Sequence, residues 1–231
     1  MIFGNYVCPG SNEFVSLLPS KGRLSDIVTN SLNLAQLPAI LLRPGEAFEQ
    51  FAESPPAPTK VFLQASLWLG LMPPVFAFFG MSRFGWRLGT VEPVTLSWQI
   101  TLWISLAYFG CLLFGFLSTA YLARWMAQTY GATRDSGAHF ALLTVVGAPL
   151  TVGSVMHLYP HILLNLLVLV PCLIWGVYLL YRGLPTVLKT TPEQGFLMAS
   201  SLVGYLLVAF VSLLGISAFL WTQGIGPRIG A

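Results

Sequence analysis

The chain has 231 residues, of which 55% are hydrophobic and only 8% are charged. Soluble domains carry about 25% charged residues, so this composition excludes an ordinary soluble protein and indicates a helical membrane protein. The formal net charge of +3 is too small to suggest a nucleic-acid-binding protein.

Residues 1–35 mix proline, glycine, serine and asparagine with scattered apolar residues. We expect this segment to be a poorly structured N-terminal extension. From Leu34 the apolar residues begin to repeat at helical spacing, with Leu37 and Leu41 on the same face. The organised part of the chain is therefore predicted to begin near residue 36.

Residues 36–60 are predicted to form a cytoplasmic amphipathic segment followed by a proline-rich linker. Pro44 suits the first turn of a helix, and Phe48 and Phe51 fall on the side opposite its glutamates. Two interpretations stay open. The helix lies on the surface of the cytoplasmic leaflet, or it is a soluble amphipathic helix that packs against the loops. The prolines within residues 55–58 then make a stiff connection to the first span.

Five membrane-spanning helices are predicted within residues 61–225. A spanning helix needs about 20 apolar residues. Between Ser136 and Tyr181 the chain has no Asp, Glu, Lys or Arg, and this stretch is too long for one span and suits a hairpin of two. Three other uncharged stretches supply the remaining spans. The predicted spans are 61–82, 97–123, 138–157, 161–181 and 197–222.

Prolines mark candidate bends in these spans. Pro73 and Pro74 lie together in the first span, Pro149 lies in the third and Pro171 in the fourth. A proline leaves one helical carbonyl without a donor and bends the helix, and in hydrocarbon that carbonyl needs a neighbour or water. Each site is either a static bend that fits the bundle, which we favour, or a hinge beside a cavity.

Small residues mark candidate helix contacts. Ser200 and Gly204 are four residues apart in the fifth span, and Gly147 and Thr151 are four apart in the third. This spacing allows two helix backbones to approach closely. It predicts helix packing without specifying the partner.

A polar turn divides the uncharged hairpin. His157 and His161 flank Tyr159 and Pro160, and Asn165 follows in the fourth span. Two histidines four residues apart can share a metal on a helical face, but Pro160 breaks that geometry and no Cys, Asp or Glu is near in sequence. We therefore interpret His157 and His161 as interfacial polar residues, and Asn165 as a side chain that bonds to a neighbouring helix.

The chain contains no recognisable catalytic motif or cofactor-binding motif. The predicted spans also hold no charged side chain, so they lack the usual device by which ion-coupled transporters bind or relay a proton. His139, at the predicted start of the third span, is expected to be a solitary interfacial histidine. We predict no catalytic residues, no metal, no cofactor and no enzymatic activity.

The distribution of Lys and Arg predicts the orientation in the membrane. With five spans, the basic residues on the N-terminal side are Lys21, Arg23, Arg43, Lys60, Arg124, Arg134, Arg182 and Lys189, and those on the other side are Arg83, Arg87 and Arg228. This excess places the N-terminus in the cytoplasm and the C-terminus outside. We expect the protein to reside in the cytoplasmic (inner) membrane.

Several short motifs occur in a distinctive order. They are Arg43–Phe48 before the first span, Gly85–Trp86 after it, Phe140–Pro149 in the third span, Trp175–Pro185 closing the fourth and Thr191–Gly195 entering the fifth. In this order, and with five spans, they resemble the Yip (Ypt-interacting protein) domain family, specifically its bacterial inner-membrane members. The similarity extends over about residues 40–225.

The resemblance implies a five-helix membrane domain with a cytoplasmic N-terminus. Eukaryotic members are linked to Rab-type GTPases, but bacteria lack that trafficking system, so no GTPase partner is inferred. The family supplies no catalytic residues.

We therefore predict a non-enzymatic scaffold, adaptor or membrane-organising protein. Its partners are the lipid bilayer and either a second copy of the chain or another membrane protein, with no nucleic acid. The alternative is a small permease or channel-like component for an uncharged or lipid-like substrate.

Overall fold

The computed structural model describes residues 37–85 and 97–223, and within them the chain is almost entirely helical. The predicted extension at residues 1–35 lies outside the described residues, as do Lys21, Arg23, Arg87 and Arg228. The helices are α1 (Leu37–Leu42), α2 (Pro44–Glu53), α3 (Pro58–Val61), α4 (Leu67–Arg83), α5 (Trp98–Met126), α6 (Ser136–Gly153), α7 (Ile162–Val187) and α8 (Pro192–Thr222).

Five helical segments are long and apolar enough to cross a membrane, which confirms the predicted all-α membrane fold with a short helix before the first span. The segments are Pro58–Arg83, Trp98–Met126, Ser136–Leu158, Ile162–Val187 and Pro192–Phe219. Each agrees with a predicted span to within a few residues at most ends. The first, second and fourth helices run further than predicted because they continue past the uncharged stretch through Lys60, Arg124 and Arg182.

The first span contains a π-helical turn and two tandem prolines. The turn, Phe62–Ser66, joins α3 to α4. Such wide turns interrupt the regular ladder of backbone hydrogen bonds and are frequent at functional sites. Helix α4 then continues through Pro73 and Pro74, both of which are buried. Because neither proline has an N–H group, two carbonyls one turn earlier lose their helical donors.

The amphipathic helix α2 is docked on the membrane bundle. Phe48 and Phe51 are 1% and 0% exposed, and Phe48 packs with Leu142 of α6 against Gly183 of α7. Since these rings are buried inside the protein, they are not available to lipid. This burial favours the second of the two interpretations, and the position of α2 relative to the leaflet stays a prediction. It packs within the protein, and it does so against spans as well as loops.

The third and fourth spans form the centre of the bundle. Helix α6 is the most deeply buried of the spanning helices, and it packs along α7. Glycines allow the backbones of α6 and α7 to approach closely. A Cβ on Gly153 would lie 2.7 Å from the sulfur of Cys172, and a Cβ on Gly176 would lie 2.9 Å from the carbonyl oxygen of Val146. This hairpin supplies the rigid wall on which the first and last spans rest.

The fifth span packs against the bundle only with its first half, where Met198, Ala199 and Leu202 are buried. Three tyrosine–serine hydrogen bonds hold this half: Tyr181 to Ser200 at 2.9 Å, Tyr130 to Ser201 at 3.0 Å, and Tyr205 to Ser118 at 2.8 Å. From Leu206 to Phe219 the large apolar side chains are all exposed. The second half of α8 is therefore left uncovered by the described part of the chain.

The predicted orientation is testable because the two ends of the bundle are formed by different segments of the chain. The loop with Arg134 and the segment after α7 meet through a 2.8 Å hydrogen bond from Thr133 N to Leu188 O, whereas Arg83 ends α4 beside the turn between the third and fourth spans. We expect a fluorescent protein fused after Arg134 to be cytoplasmic, and alkaline phosphatase fused to the C-terminus to be active outside. An inactive C-terminal phosphatase would contradict the predicted orientation.

Candidate functional site

An inner cavity of about 290 Å³ lies between α4, α5 and α6. At its edge the hydroxyl oxygens of Ser66 and Thr144 are 2.7 Å apart. Thr144 also contacts the carbonyl of Phe140 at 2.7 Å, and Ser66 contacts the carbonyl of Val61 at 3.4 Å. Because the contact of Thr144 is much the shorter, we infer that Thr144 donates to Phe140 and Ser66 donates to Thr144. This bond between two spans holds the π-helical turn against α6. Pro73 and Gly147 line the same cavity.

An outer groove of about 410 Å³ lies between α5 and α7. Ala77 and Met81 of α4 form its floor, and Ile104 and Leu166 form its sides. Among the described residues, none that lines the inner cavity or the groove is Asp, Glu, Lys or Arg. Both spaces are therefore suited to uncharged contents.

Asn165 closes the turn between the third and fourth spans. Its amide nitrogen donates to the carbonyl oxygens of Met156, Tyr159 and His161 at 3.3, 3.2 and 3.1 Å. Three carbonyls around this nitrogen fix the orientation of the side chain, because the amide oxygen would be repelled there. Asn165 thus bonds both to the end of the preceding span and to the turn itself.

His157 is held by Asn165 in a defined tautomer. Its Nδ1 lies 2.6 Å from Oδ1 of Asn165. Since that oxygen only accepts, Nδ1 carries the proton and Nε2 of the neutral ring presents a lone pair. The Tyr108 hydroxyl lies 3.4 Å from this Nε2. Tyr108 and His157 line both the inner cavity and the outer groove, so this pair separates the two spaces.

The other two histidines do not join this cluster. The ring of His161 is half-buried and stacks on Tyr159, with ring centroids 6.4 Å apart. His139 is only 1% exposed and lies near the opposite end of α6, where its Nε2 donates to the carbonyl of Thr133 at 3.0 Å. The interfacial position of His139 stays a prediction, and within the protein its ring is covered by the loop that precedes α6. In the described ranges, no three His, Cys, Asp or Glu side chains are grouped as a metal site requires.

Gly80 of α4 allows the turn to pack on the first span. A Cβ at this position would overlap the carbonyl oxygen of His157. One turn further, the rings of Phe84 and Tyr159 are in contact, with centroids 6.2 Å apart. The position of His157 at the edge of the groove therefore depends on residue 80 being a glycine, which leaves room for the turn.

The predicted bend sites fall in different environments. Pro73 lines the inner cavity and Pro74 is buried beside it. Pro149 is buried within α6, and Pro171 is exposed on α7. All three helices continue through their prolines. The preference for static bends over hinges at these prolines stays a prediction.

The small-residue sites differ from the simple contact that their spacing suggests. Ser200 is half-buried and bonded to Tyr181, whereas Gly204 is exposed and a Cβ there would meet nothing within 4 Å. A Cβ on Gly147 would also meet nothing within 4 Å, because this residue borders the inner cavity. Within one chain, neither Gly204 nor Gly147 is therefore a close helix contact.

Sequence reasoning missed Ser66, Gly80 and Tyr108. Tyr108 gave a usable signal, since a tyrosine well inside an apolar span needs a partner for its hydroxyl. Gly80 gave none, because it looks no different in sequence from Gly70, where a Cβ would make only ordinary contacts with Leu113 and Phe109, at 3.8 and 4.0 Å.

The Yip1 domain family matches residues 39–213, which span the chain from α1 into α8 and include both cavities. The chain belongs to the Yip1 family. This confirms the resemblance seen in the short motifs. The chain is also 31% identical, over 159 residues, to inner membrane protein YohC of Escherichia coli strain K12, and the alignment covers 68% of this chain and 81% of YohC. YohC of Escherichia coli O6:H1 strain CFT073 gives the same values.

Family membership, these relatives and the apolar spans make the chain a multi-pass protein of the inner membrane. No solved structure gives a significant match. The Yip1 match ends at residue 213, within the uncovered half of α8. The family domain therefore contains the docked helix α2, the inner cavity, the outer groove and the polar turn.

Proposed function

We propose that this Yip1-family protein is a non-enzymatic scaffold or adaptor that acts through helix–helix contact in the inner membrane, with a second copy of the chain as its partner. The uncovered second half of α8 supports this proposal. A helix that packs for only part of its length leaves the remainder to lipid or to another helix.

One face of α8 suits a helix partner better than the others. Gly204 and Gly215 are eleven residues apart, which is about three helical turns, so they lie on the same face of α8. Val208 and Val211 lie on that face and are 67% and 58% exposed, and a Cβ on either glycine would meet nothing within 4 Å. Exposed apolar surface alone does not drive association in lipid, whereas small residues allow backbones to approach. We expect contact at this face.

The polar side chains around the inner cavity support a structural role. Thr151 donates to the carbonyl of Gly147 at 3.3 Å, and Ser154 donates to the carbonyl of Thr151 at 2.6 Å. Hydroxyls bonded back to their own helix need no functional explanation. The proposal therefore assigns these residues to folding and not to chemistry.

Gly204→Leu tests the proposal. We expect it to weaken self-association about tenfold, since loss of about 1–2 kcal/mol of helix contact corresponds to roughly that factor. Förster transfer between labelled copies in vesicles measures the change. Gly110→Leu is the matched control, because Gly110 is an exposed glycine on α5 at which a Cβ would also meet nothing within 4 Å. Equal transfer in the wild type and both variants, or no transfer above random mixing, contradicts the proposal.

A small permease for an uncharged or lipid-like substrate is the second candidate. The observation that favours it is the pair of spaces on either side of Tyr108 and His157, which together reach from the gap between α5 and α7 to the π-helical turn. Purified protein in liposomes tests this candidate. Accelerated flux of a neutral solute, or of a labelled lipid between leaflets, supports it; rates equal to protein-free liposomes exclude it for the molecules tested.

A further inference from the structure

We propose that the outer groove binds a single-chain, lipid-like molecule that ends in an uncharged hydroxyl, with the chain in the groove and the hydroxyl on Nε2 of His157. This binding site requires neither self-association nor transport, so it goes beyond both candidate functions above.

The shape of the groove sets the size of the ligand. Its volume of about 410 Å³ falls within the range of small-molecule sites, about 300–1,000 Å³. A methylene group occupies about as much space as a water molecule, ~30 Å³. The groove therefore holds a chain of roughly a dozen methylenes, which is one chain and not two.

The lining sets the character of the chain. Met81, Ile104, Ile162 and Leu166 present almost entirely apolar surface to the groove. In a bilayer, an unfilled space between two spans forfeits dispersion contacts on its walls. An apolar chain restores these contacts, and the side of the groove between α5 and α7 gives it a way in from the bilayer.

His157 sets the polar end of the ligand. Its Nε2 presents a lone pair because the ring proton is on Nδ1, which donates to Oδ1 of Asn165. The hydroxyl of Tyr108 is 3.4 Å from Nε2, which is longer than an ordinary hydrogen bond to a hydroxyl donor. A ligand hydroxyl at normal distance makes the stronger bond and displaces Tyr108.

The charges of the site exclude an ionised ligand. The described groove residues include no cationic Lys or Arg, and a carboxylate or phosphate buried without a partner carries a large desolvation cost. A neutral hydroxyl needs only one acceptor. Fatty alcohols and longer isoprenoid alcohols both combine an apolar chain with a neutral hydroxyl. Competition binding experiments distinguish these two classes of ligand.

Photolabelling of the full chain in lipid nanodiscs tests the site. The probe is a hexadecanol that carries a diazirine on its chain, and labelled peptides are mapped by mass spectrometry. We expect labels in the two segments that flank the groove, 104–108 and 162–169. Unlabelled hexadecanol should compete at least tenfold better than hexadecane or palmitate, and an isoprenoid alcohol of greater affinity would identify the longer chain as the preferred source.

Matched variants test separately the binding of the ligand's apolar chain in the groove and the binding of its hydroxyl at His157. Leu166→Trp fills the groove and should reduce labelling at least fivefold, whereas Leu167→Trp is the control, because Leu167 is 71% exposed and does not line the groove. His157→Phe should remove the preference for alcohol over hydrocarbon. Tyr108→Phe removes the competing hydroxyl and should preserve or increase labelling.

Three results would overturn the proposal. They are labels spread evenly over all lipid-facing segments, equal competition by hexadecane, and loss of alcohol binding in Tyr108→Phe with His157 intact. Thermal unfolding of each variant in detergent verifies that it is folded. Because Gly204 lies outside the groove, failure of the self-association experiment leaves this test unaffected.

Discussion

Replacing Gly80 by alanine should lower the free energy of unfolding by about 1–3 kcal/mol, the usual cost of adding a methyl group to a packed site. The new Cβ would overlap the carbonyl oxygen of His157. A backbone carbonyl cannot rotate away, so the turn must move off α4. We expect this movement to lengthen the Tyr108–His157 contact and to widen the passage between the inner cavity and the outer groove. Unfolding of the purified protein in mixed detergent–SDS micelles measures the loss.

Gly110→Ala is the control for this change. Gly110 also lies inside a spanning helix, but a Cβ there meets nothing within 4 Å. Alanine favours a helix over glycine by about 0.8–1 kcal/mol, so this variant should be unchanged or slightly more stable. If Gly80→Ala and Gly110→Ala unfold at the same SDS fraction, the packing of the turn on α4 is not as described.

Replacing Asn165 by leucine should destabilise the protein by about 2 kcal/mol. The side chain keeps its size, but the Nδ1–H of His157 loses its partner. Three turn carbonyls each lose the Asn165 amide as a donor and keep only a backbone N–H donor. Individual side-chain hydrogen bonds in membrane proteins average about 0.6 kcal/mol, and a buried polar group left unpaired costs about 1–3 kcal/mol. Amide hydrogen exchange should also accelerate in the turn, residues 154–161, before the rest of the bundle.

Ser212→Ala is the control for Asn165→Leu. Ser212 is exposed on α8 and donates only to the carbonyl of Val208, one turn back in its own helix. Its loss should change stability by less than about 0.5 kcal/mol. An Asn165→Leu protein as stable as the Ser212→Ala protein, with unchanged exchange in the turn, would show that Asn165 does not hold the turn closed.

The membrane fold was predictable because its signal is local. Uncharged stretches of about 20 residues mark spans wherever they occur, since a charge in hydrocarbon is costly. The start of α8 was also predictable: Thr191 precedes Pro192, and the N–H of Gln194 bonds to the Thr191 hydroxyl at 3.4 Å. Each of these features depends on residues that are neighbours in the chain.

The docking of α2 was not predictable to the same degree. Its pattern of Phe48 and Phe51 opposite glutamates indicates that one face is buried, but that face can be buried equally well against lipid or against protein. The choice depends on Gly183, far along the chain, which leaves room for the ring of Phe48. No local pattern links these two positions.

The candidate site combines predictable residue types with unpredictable geometry. A polar Asn165 and two histidines at the hairpin turn drew attention because polar side chains are rare in such a stretch. Their arrangement depends on contacts between spans, notably Tyr108 with His157 and Gly80 with the turn. Gly204 shows the reverse: its spacing from Ser200 is typical of a helix contact, yet it lies on the side of α8 that faces away from the bundle.

Cysteine crosslinking along α8 in native membranes tests the scaffold proposal most directly. In a chain whose own cysteines are replaced by alanine, single cysteines are placed at Val208 and Val211 on the glycine face and at Leu206 and Leu213 on the opposite face. All four side chains are exposed in one copy of the chain. Crosslinked dimers at Val208 and Val211, with little at Leu206 and Leu213, are the expected result. Absence of dimers at every position, or equal yields on both faces, would contradict self-association through α8.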